Sequence, residues 1–160
     1  MKEIILVRHG KSSWEYGVSD RDRPLQERGI RDAILVAGAY GGQPVPDAVF
    51  SSPANRALHT CTILMRELRV PLELVRLSEA LYDFSGGSVE AFVKGLDDTL
   101  GRVMLFGHNH AFTALANAWG DRYIDNVPTS GLVHLRFDTG RWADLSRGHT
   151  QGVVFPKNLK

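Results

Sequence analysis

Residues 4–10 read Ile-Ile-Leu-Val-Arg-His-Gly: four apolar side chains run, with no turn signal between, into Arg8, His9 and Gly10. An unbroken apolar run is what a strand buried on both faces requires, and such strands belong to parallel sheets covered by helices on each side. That assignment leaves a guanidinium and an imidazole at the strand's end, where burial is costly unless each is paired. The end of this strand must therefore meet solvent or an anion.

Downstream, short β-rich runs alternate with longer segments of helical period, as in a parallel sheet flanked by helices. Leu25–Tyr40 reads as a helix with Ile30, Ala33, Ile34 and Ala37 on one side and Gly41-Gly42 as its stop. A strand at Asp47–Phe50 leads into Ser-Ser-Pro-Ala-Asn-Arg-Ala-Leu-His-Thr, residues 51–60, which opens a helix with Ser52 as N-cap and Pro53 at the first position. Leu58, Cys61, Met65 and Leu68 recur at helical spacing, putting Cys61 on the packed face. Leu72–Leu77, behind Pro71, is a third strand, and Ser88 caps a short helix carrying Val89, Phe92, Val93 and Leu96. Val103–Phe106 is the fourth strand and passes through Gly107-His108-Asn109-His110 into a helix with Phe112, Leu115 and Trp119 inward. Beyond Pro128, Val133, Leu135 and Phe137 alternate with Leu132, His134 and Arg136; a turn at 138–142 lets Trp142–Leu145 return antiparallel, and the last apolar run is Val153–Phe155. The expected fold is α/β, a three-layer α/β/α sandwich with a mostly parallel sheet and an antiparallel C-terminal addition, in one domain over residues 1–160.

Composition narrows the function classes. The 160 residues carry 19 Lys and Arg against 18 Asp and Glu, a net charge of +1, which gives no electrostatic footprint for nucleic acid. Met-Lys-Glu is followed by a run of only four apolar residues before Arg8, too short for a signal-peptide core, and no run reaches membrane-spanning length. A single cysteine excludes an internal disulfide and agrees with a reducing compartment, so the expected location is the cytoplasm. The chain is expected to be a monomer.

The polar residues show one regularity. His9, Arg56, Glu79 and His108 each fall just beyond the C-terminal end of a predicted strand, the edge of an open α/β sheet where ligands bind. Arg56 lies in the first turn of its helix, where backbone N–H groups already favour an anion. A dianionic ligand shared by Arg8, Arg56 and the two imidazoles answers the question posed by the first strand.

In these three stretches, Leu-Val-Arg-His-Gly at 6–10, residues 51–60 and Gly-His-Asn-His at 107–110, the chain resembles the histidine phosphatase (phosphoglycerate-mutase-like) superfamily, with matching order and spacing. Residues 8–14, 22–29 and 124–131, together with the short length, are similar to the SixA type of phosphohistidine phosphatase. The resemblance implies a phosphatase in which His9 is the nucleophile, while Arg8, Arg56 and His108 grip the phosphoryl oxygens. Ser12 stands where relatives have a threonine near the phosphate, either donating a hydroxyl or capping a turn. Neutral imidazole has a free ring nitrogen near pH 7, and surrounding cations are expected to keep it unprotonated. Its other nitrogen needs an acceptor, for which a backbone carbonyl beside Gly10 is suitable. Water then hydrolyses the phosphohistidine, a route needing neither metal nor other cofactor.

Glu79 stands where larger relatives carry a proton donor for an alkoxide leaving group; here it is either that acid or a solvated loop carboxylate. The implied partner is a phosphorylated protein, its phosphate on histidine, or else a small phosphate ester. No contact with nucleic acid or membrane is expected. A phosphate-binding module without turnover is the alternative from another class, and a mutase is disfavoured by the short chain. His110 is expected at the rim or as a polar residue at a helix start rather than as a metal ligand, since no third ligand accompanies it. Cys61 with Arg66 is one residue short of a cysteine-phosphatase loop and lies within a helix. His59 is expected in solvent or beside Arg56, His134 exposed and His149 in a loop. The run Asp20–Arg23 is charge-balanced and expected to be a solvated loop.

Overall fold

The computed structural model describes all 160 residues. Ten regular elements follow in the order β1 (Lys2–Arg8), α1 (Glu27–Tyr40), β2 (Ala48–Ser51), α2 (Asn55–Leu68), β3 (Val75–Leu77), α3 (Gly87–Lys94), β4 (Arg102–Gly107), α4 (Ala111–Trp119), β5 (Leu132–Phe137) and β6 (His149–Val154). They build one sheet in the order β3-β2-β4-β1-β5-β6. The first four strands in sequence are mutually parallel, whereas β5 runs antiparallel to β1 and β6 antiparallel to β5.

The apolar run of β1 is explained by two cores. Ile4 and Leu6 join Val103 and Leu105 beneath α3 and α4, while Ile5 and Val7 join Met104, Phe106 and Val49 beneath α1 and α2. Successive side chains of a strand point to opposite faces, so a strand at the centre of three layers must be apolar at every position. All four residues are fully buried. No helix is long and apolar enough to cross a membrane.

Several local expectations are corrected. Leu72–Leu74 forms a short 3₁₀ turn, and only Val75–Leu77 is strand. Trp142–Leu145 does not return as a strand: Trp142–Asp144 is a 3₁₀ turn held by Trp142 N–H on Asp98 Oδ1 (2.8 Å) and indole Nε1 on the Leu100 carbonyl (3.0 Å). The antiparallel partner of β5 is instead His149–Val154, which places His149 in a strand. On α1 the packed face runs through Ala33, Val36, Ala37 and Tyr40, with Ile34 turned outward. His134 is buried rather than exposed, its Nε2 2.8 Å from Glu3 Oε1, because Tyr40 at the end of α1 packs over it with ring centroids 6.1 Å apart.

The fold delivers β1 and β4 side by side, with Arg8 paired to Gly107, so that His9 and His108 emerge as neighbours at the strands' C-terminal edge. The segment after His9 is pressed against the start of α1. Gln26 N–H donates to the Lys11 carbonyl (2.8 Å), and a Cβ on Gly29 would lie 2.9 Å from the Lys11 nitrogen and closer still to its carbonyl oxygen. Those atoms are backbone and cannot swing aside. Gly29→Ala is therefore expected to destabilise the protein by about 1–3 kcal/mol, read as a lowered Tm. An unchanged Tm would show that the contact can relax.

Candidate active site

Each side chain at this edge is placed by an identifiable local cause. His9 follows β1, its N–H bonded to the Gly107 carbonyl (3.1 Å) and its carbonyl accepting from Ser130 N–H (3.0 Å). Its Nδ1 lies 2.7 Å from the Gly10 carbonyl oxygen, which can only accept, so Nδ1 carries the proton and Nε2 keeps its lone pair. Arg56, in the first turn of α2, donates Nε–H to that Nε2 at 3.3 Å and sets a terminal nitrogen 3.5 Å from His108 Nδ1. The two imidazole centroids are 5.3 Å apart. Arg8 donates to the Val127 carbonyl (2.9 Å), and its buried Nε has no partner. Four of the six predicted site residues, His9, Arg8, Arg56 and His108, thus converge at one place.

Burial, more than neighbouring charge, sets the ionisation of the imidazoles. His9 is brought down to about 3 chiefly by burial, with His108, Arg56 and Arg8 adding repulsion and the Gly10 carbonyl opposing. His108 is likewise lowered to about 3 by burial and then by Arg56. Burial followed by the repulsion of Arg56 also lowers Arg8. Both imidazoles are therefore neutral at pH 7, and the two guanidiniums share the site with one carboxylate.

That carboxylate is Asp20, which the sequence places in a solvated run and the structure places at the centre of the site. Arg56 donates to its backbone carbonyl (2.6 Å) and to Oδ2 (3.0 Å), Tyr82 O–H donates to Oδ2 (2.5 Å), and Arg23 donates to Oδ1 (3.1 Å). Burial pushes the Asp20 carboxyl up, but these donors outweigh it and bring it down to about 2. Arg23 also reaches Ser12 Oγ (2.6 Å) and the Ser13 carbonyl (3.1 Å), so Ser12 accepts from a guanidinium while its own proton stays free to be donated. The loop between residues 12 and 25 closes on itself through a bridge between Ser12 and Leu25, with Ser13 N–H on the Pro24 carbonyl. That closure folds Asp20 back over the strand ends.

Two further residues do work the sequence did not reveal. Ser52, expected to cap α2, sits ahead of Ala54 at the N-cap; its Oγ accepts from Ala54 N–H (3.2 Å) and meets His108 Nε2 at 2.8 Å. With Nε2 so engaged, Nδ1 of His108 faces Arg56 and the site. Thr60 Oγ1 donates to the Arg56 carbonyl (2.8 Å) and accepts Gly10 N–H (2.9 Å), tying the segment after His9 to the helix that carries Arg56. Thr60 ends the 51–60 motif, where its spacing of four from Arg56 on a helix was the available signal.

Glu79 stands apart. It is exposed and holds Arg21 through two hydrogen bonds of 2.7 and 3.0 Å, and that guanidinium lowers its carboxyl below the ordinary range. His110 is exposed at the position before α4, and no group of three or more His, Cys, Asp or Glu side chains is arranged to hold a metal ion. His59 is exposed, and Cys61 is buried and free, its thiol pushed up to about 12 by burial.

The family model of the histidine phosphatase superfamily (branch 1) matches residues 4–94. An uncharacterised protein of Mycobacterium tuberculosis strain H37Rv is 34% identical over 160 residues, covering 93% of this chain and 98% of that one. Among solved structures, the protein histidine phosphatase SixA, complexed with tungstate, superposes with a TM-score of 0.80 at 23% identity over 99% of each chain. A mycobacterial glucosyl-3-phosphoglycerate phosphatase superposes with a TM-score of 0.63 at 15% identity, covering 98% of this chain and 99% of that one. The chain belongs to the histidine phosphatase superfamily and has the mixed α/β fold of SixA.

Proposed function

We propose that the protein is a metal-independent phosphatase working through a phosphohistidine on His9, with a phosphohistidine side chain of another protein as substrate. The observation that carries this reading is the His9 imidazole held by Gly10 through Nδ1, its Nε2 lone pair turned to the place where Arg56 and His108 meet. Nε2 attacks phosphorus, the bond to the leaving atom breaks, and its electron pair goes to the leaving group. Arg56, Arg8 and the Ser12 hydroxyl meet charge on the phosphoryl oxygens in flight. The dianion also raises the pKa of His108, making Nδ1 a donor toward it. In the second step water bonds to phosphorus, the P–Nε2 pair returns to His9, and inorganic phosphate leaves.

Glu79 favours a leaving group that needs no nearby carboxylic acid. Its ion pair with Arg21 stabilises the carboxylate, so at neutral pH it holds no proton to give to an alkoxide. An imidazole protonated on its far nitrogen leaves neutral and without that help. Between β3 and β4 the chain has only a 3₁₀ turn at Glu79–Leu81 and α3, with no inserted helices over the edge to exclude a protein-borne group. The SixA likeness supports the same substrate class.

Kinetics on a phosphohistidine protein, a phosphoserine peptide and a sugar phosphate test this reading. The phosphohistidine protein should have the highest kcat/KM, and Glu79→Gln should change it by less than about threefold. Faster turnover of the sugar phosphate, lost in the Glu79 variant, would assign the enzyme to small esters instead.

A further inference from the structure

The rim over His108 is aromatic. The Tyr82 ring lies 5.4 Å from the His108 ring at 65°, the Phe84 ring 5.0 Å from it at 49°, and the two are 5.3 Å from each other at 68°. His108 itself is almost wholly buried, whereas Phe84 is 47% exposed. The turn bearing Phe84 is fixed: the Asp83 carboxylate accepts backbone N–H groups from Ser85, Gly86, Ser88 and Val89 at 3.1 Å each. Tyr82 is fixed as well, by its hydroxyl on Asp20 and by Arg21 over its ring at 5.0 Å. A large apolar ring is thus held half in water beside the candidate catalytic pair by a rigid scaffold, although burying it would be worth free energy. Trp14, more exposed still, already has its face covered by the Arg23 guanidinium at 3.3 Å. No cation lies over the Phe84 ring.

In-line attack by His9 puts the leaving atom on the side of phosphorus away from Nε2, toward solvent. We propose that Phe84, backed by Tyr82, is a specificity-determining subsite that receives a planar aromatic leaving group, the imidazole ring of phosphohistidine. This rests on the phosphohistidine reading above and sharpens it. Ring pairs prefer tilted or offset contact at centroid separations near those already present here. The form that cleaves carries a proton on the far ring nitrogen and is cationic, so the aromatic faces also favour the protonation state that departs. The P–N bond breaks, its electron pair passes to the departing nitrogen, and neutral imidazole is released; the proton it keeps came from solvent before the step. A second feature points to the same class: with Glu79 tied to Arg21, the site favours leaving groups that need little acid, and a protonated imidazole is one.

The test compares N-phosphoimidazole with phosphoramidate, which has the same P–N bond and no ring. The ratio of their kcat/KM values should fall about five- to tenfold in Phe84→Ala and in Phe84→Leu, and recover in F84Y. Phe84→Leu keeps apolar bulk and guards against a folding defect in the alanine variant. An unchanged ratio in both variants, with the two substrates slowed alike or not at all, would make Phe84 a packing residue and overturn the subsite. Failure of the parent reading is distinguishable. It would show as an alkyl phosphate outrunning both P–N compounds in the unmodified enzyme, whatever the ring ratio does.

Discussion

His9→Ala should abolish turnover of every phosphate substrate, lowering kcat by about four orders of magnitude or more while the protein stays folded. His108 does not take over, because its Nε2 meets the Ser52 hydroxyl, which can donate or accept, whereas the Gly10 carbonyl can only accept and so keeps a lone pair on His9 Nε2. The same substitution has a signature in stability. The His9 imidazole has a pKa of about 3 in the folded chain against 6.5 unfolded, and His108 behaves alike. Unfolded chains therefore take up protons that the folded one refuses as pH falls from 6.5 toward 3. Stability present above pH 6.5 is lost in that window, at up to about 1.4 kcal/mol per pH unit for each imidazole. Removing His9 removes its contribution, so denaturant unfolding between pH 6.5 and 4 should show a shallower decline than in the unmodified protein. For the same reason kcat/KM, corrected for ionisation of the substrate, should show no fall near pH 6.5 from protonation of the nucleophile. A limb centred there and absent from substrate titration would mean that His9 titrates as an ordinary histidine.

Arg56→Ala should lower kcat by about two to three orders of magnitude, the usual loss when one donor to a developing oxyanion is removed. Arg56→Lys should recover little of it. The guanidinium fork bonds the Asp20 carbonyl, Asp20 Oδ2 and His9 Nε2 and touches His108, and an ammonium has neither the reach nor the geometry for these at once. Asp20→Asn should be milder, about tenfold, because the backbone carbonyl of residue 20 still accepts from Arg56 while the charged half of the clamp is gone. Steady-state kinetics on the three variants decide the matter. Equal kcat in Arg56→Ala and the unmodified enzyme would remove Arg56 from the mechanism.

The central strand and the residues at its end were legible because they obey one strong rule: a strand buried on both faces is apolar throughout, and ions at its tip need a partner. His9, Arg8, Arg56 and His108 follow from that rule together with the order of strands and helices. Asp20 was not legible. In a run of alternating charge it looks solvated, and only the Ser12–Leu25 bridge, a contact between ends of a loop, turns it onto Arg56. Ser52 differs for a related reason: the hydroxyl suits a cap, but its strongest partner is 56 residues away. The C-terminal strand escaped because His149–Val154 is an edge strand with half-polar composition, while Trp142, which looked like strand, takes its backbone partner from Asp98. Local pattern reports burial well and long-range polar pairing poorly.

The most direct test is chemical trapping. The enzyme is mixed with a phosphohistidine protein, quenched within milliseconds in alkali, which preserves phosphoramidates, digested, and the phosphate located by mass spectrometry. The account predicts phosphate on His9, at substoichiometric level in the unmodified enzyme and absent in His9→Ala. Phosphate on His108 or any other residue, or turnover with no enzyme-bound phosphate at any quench time, would contradict it.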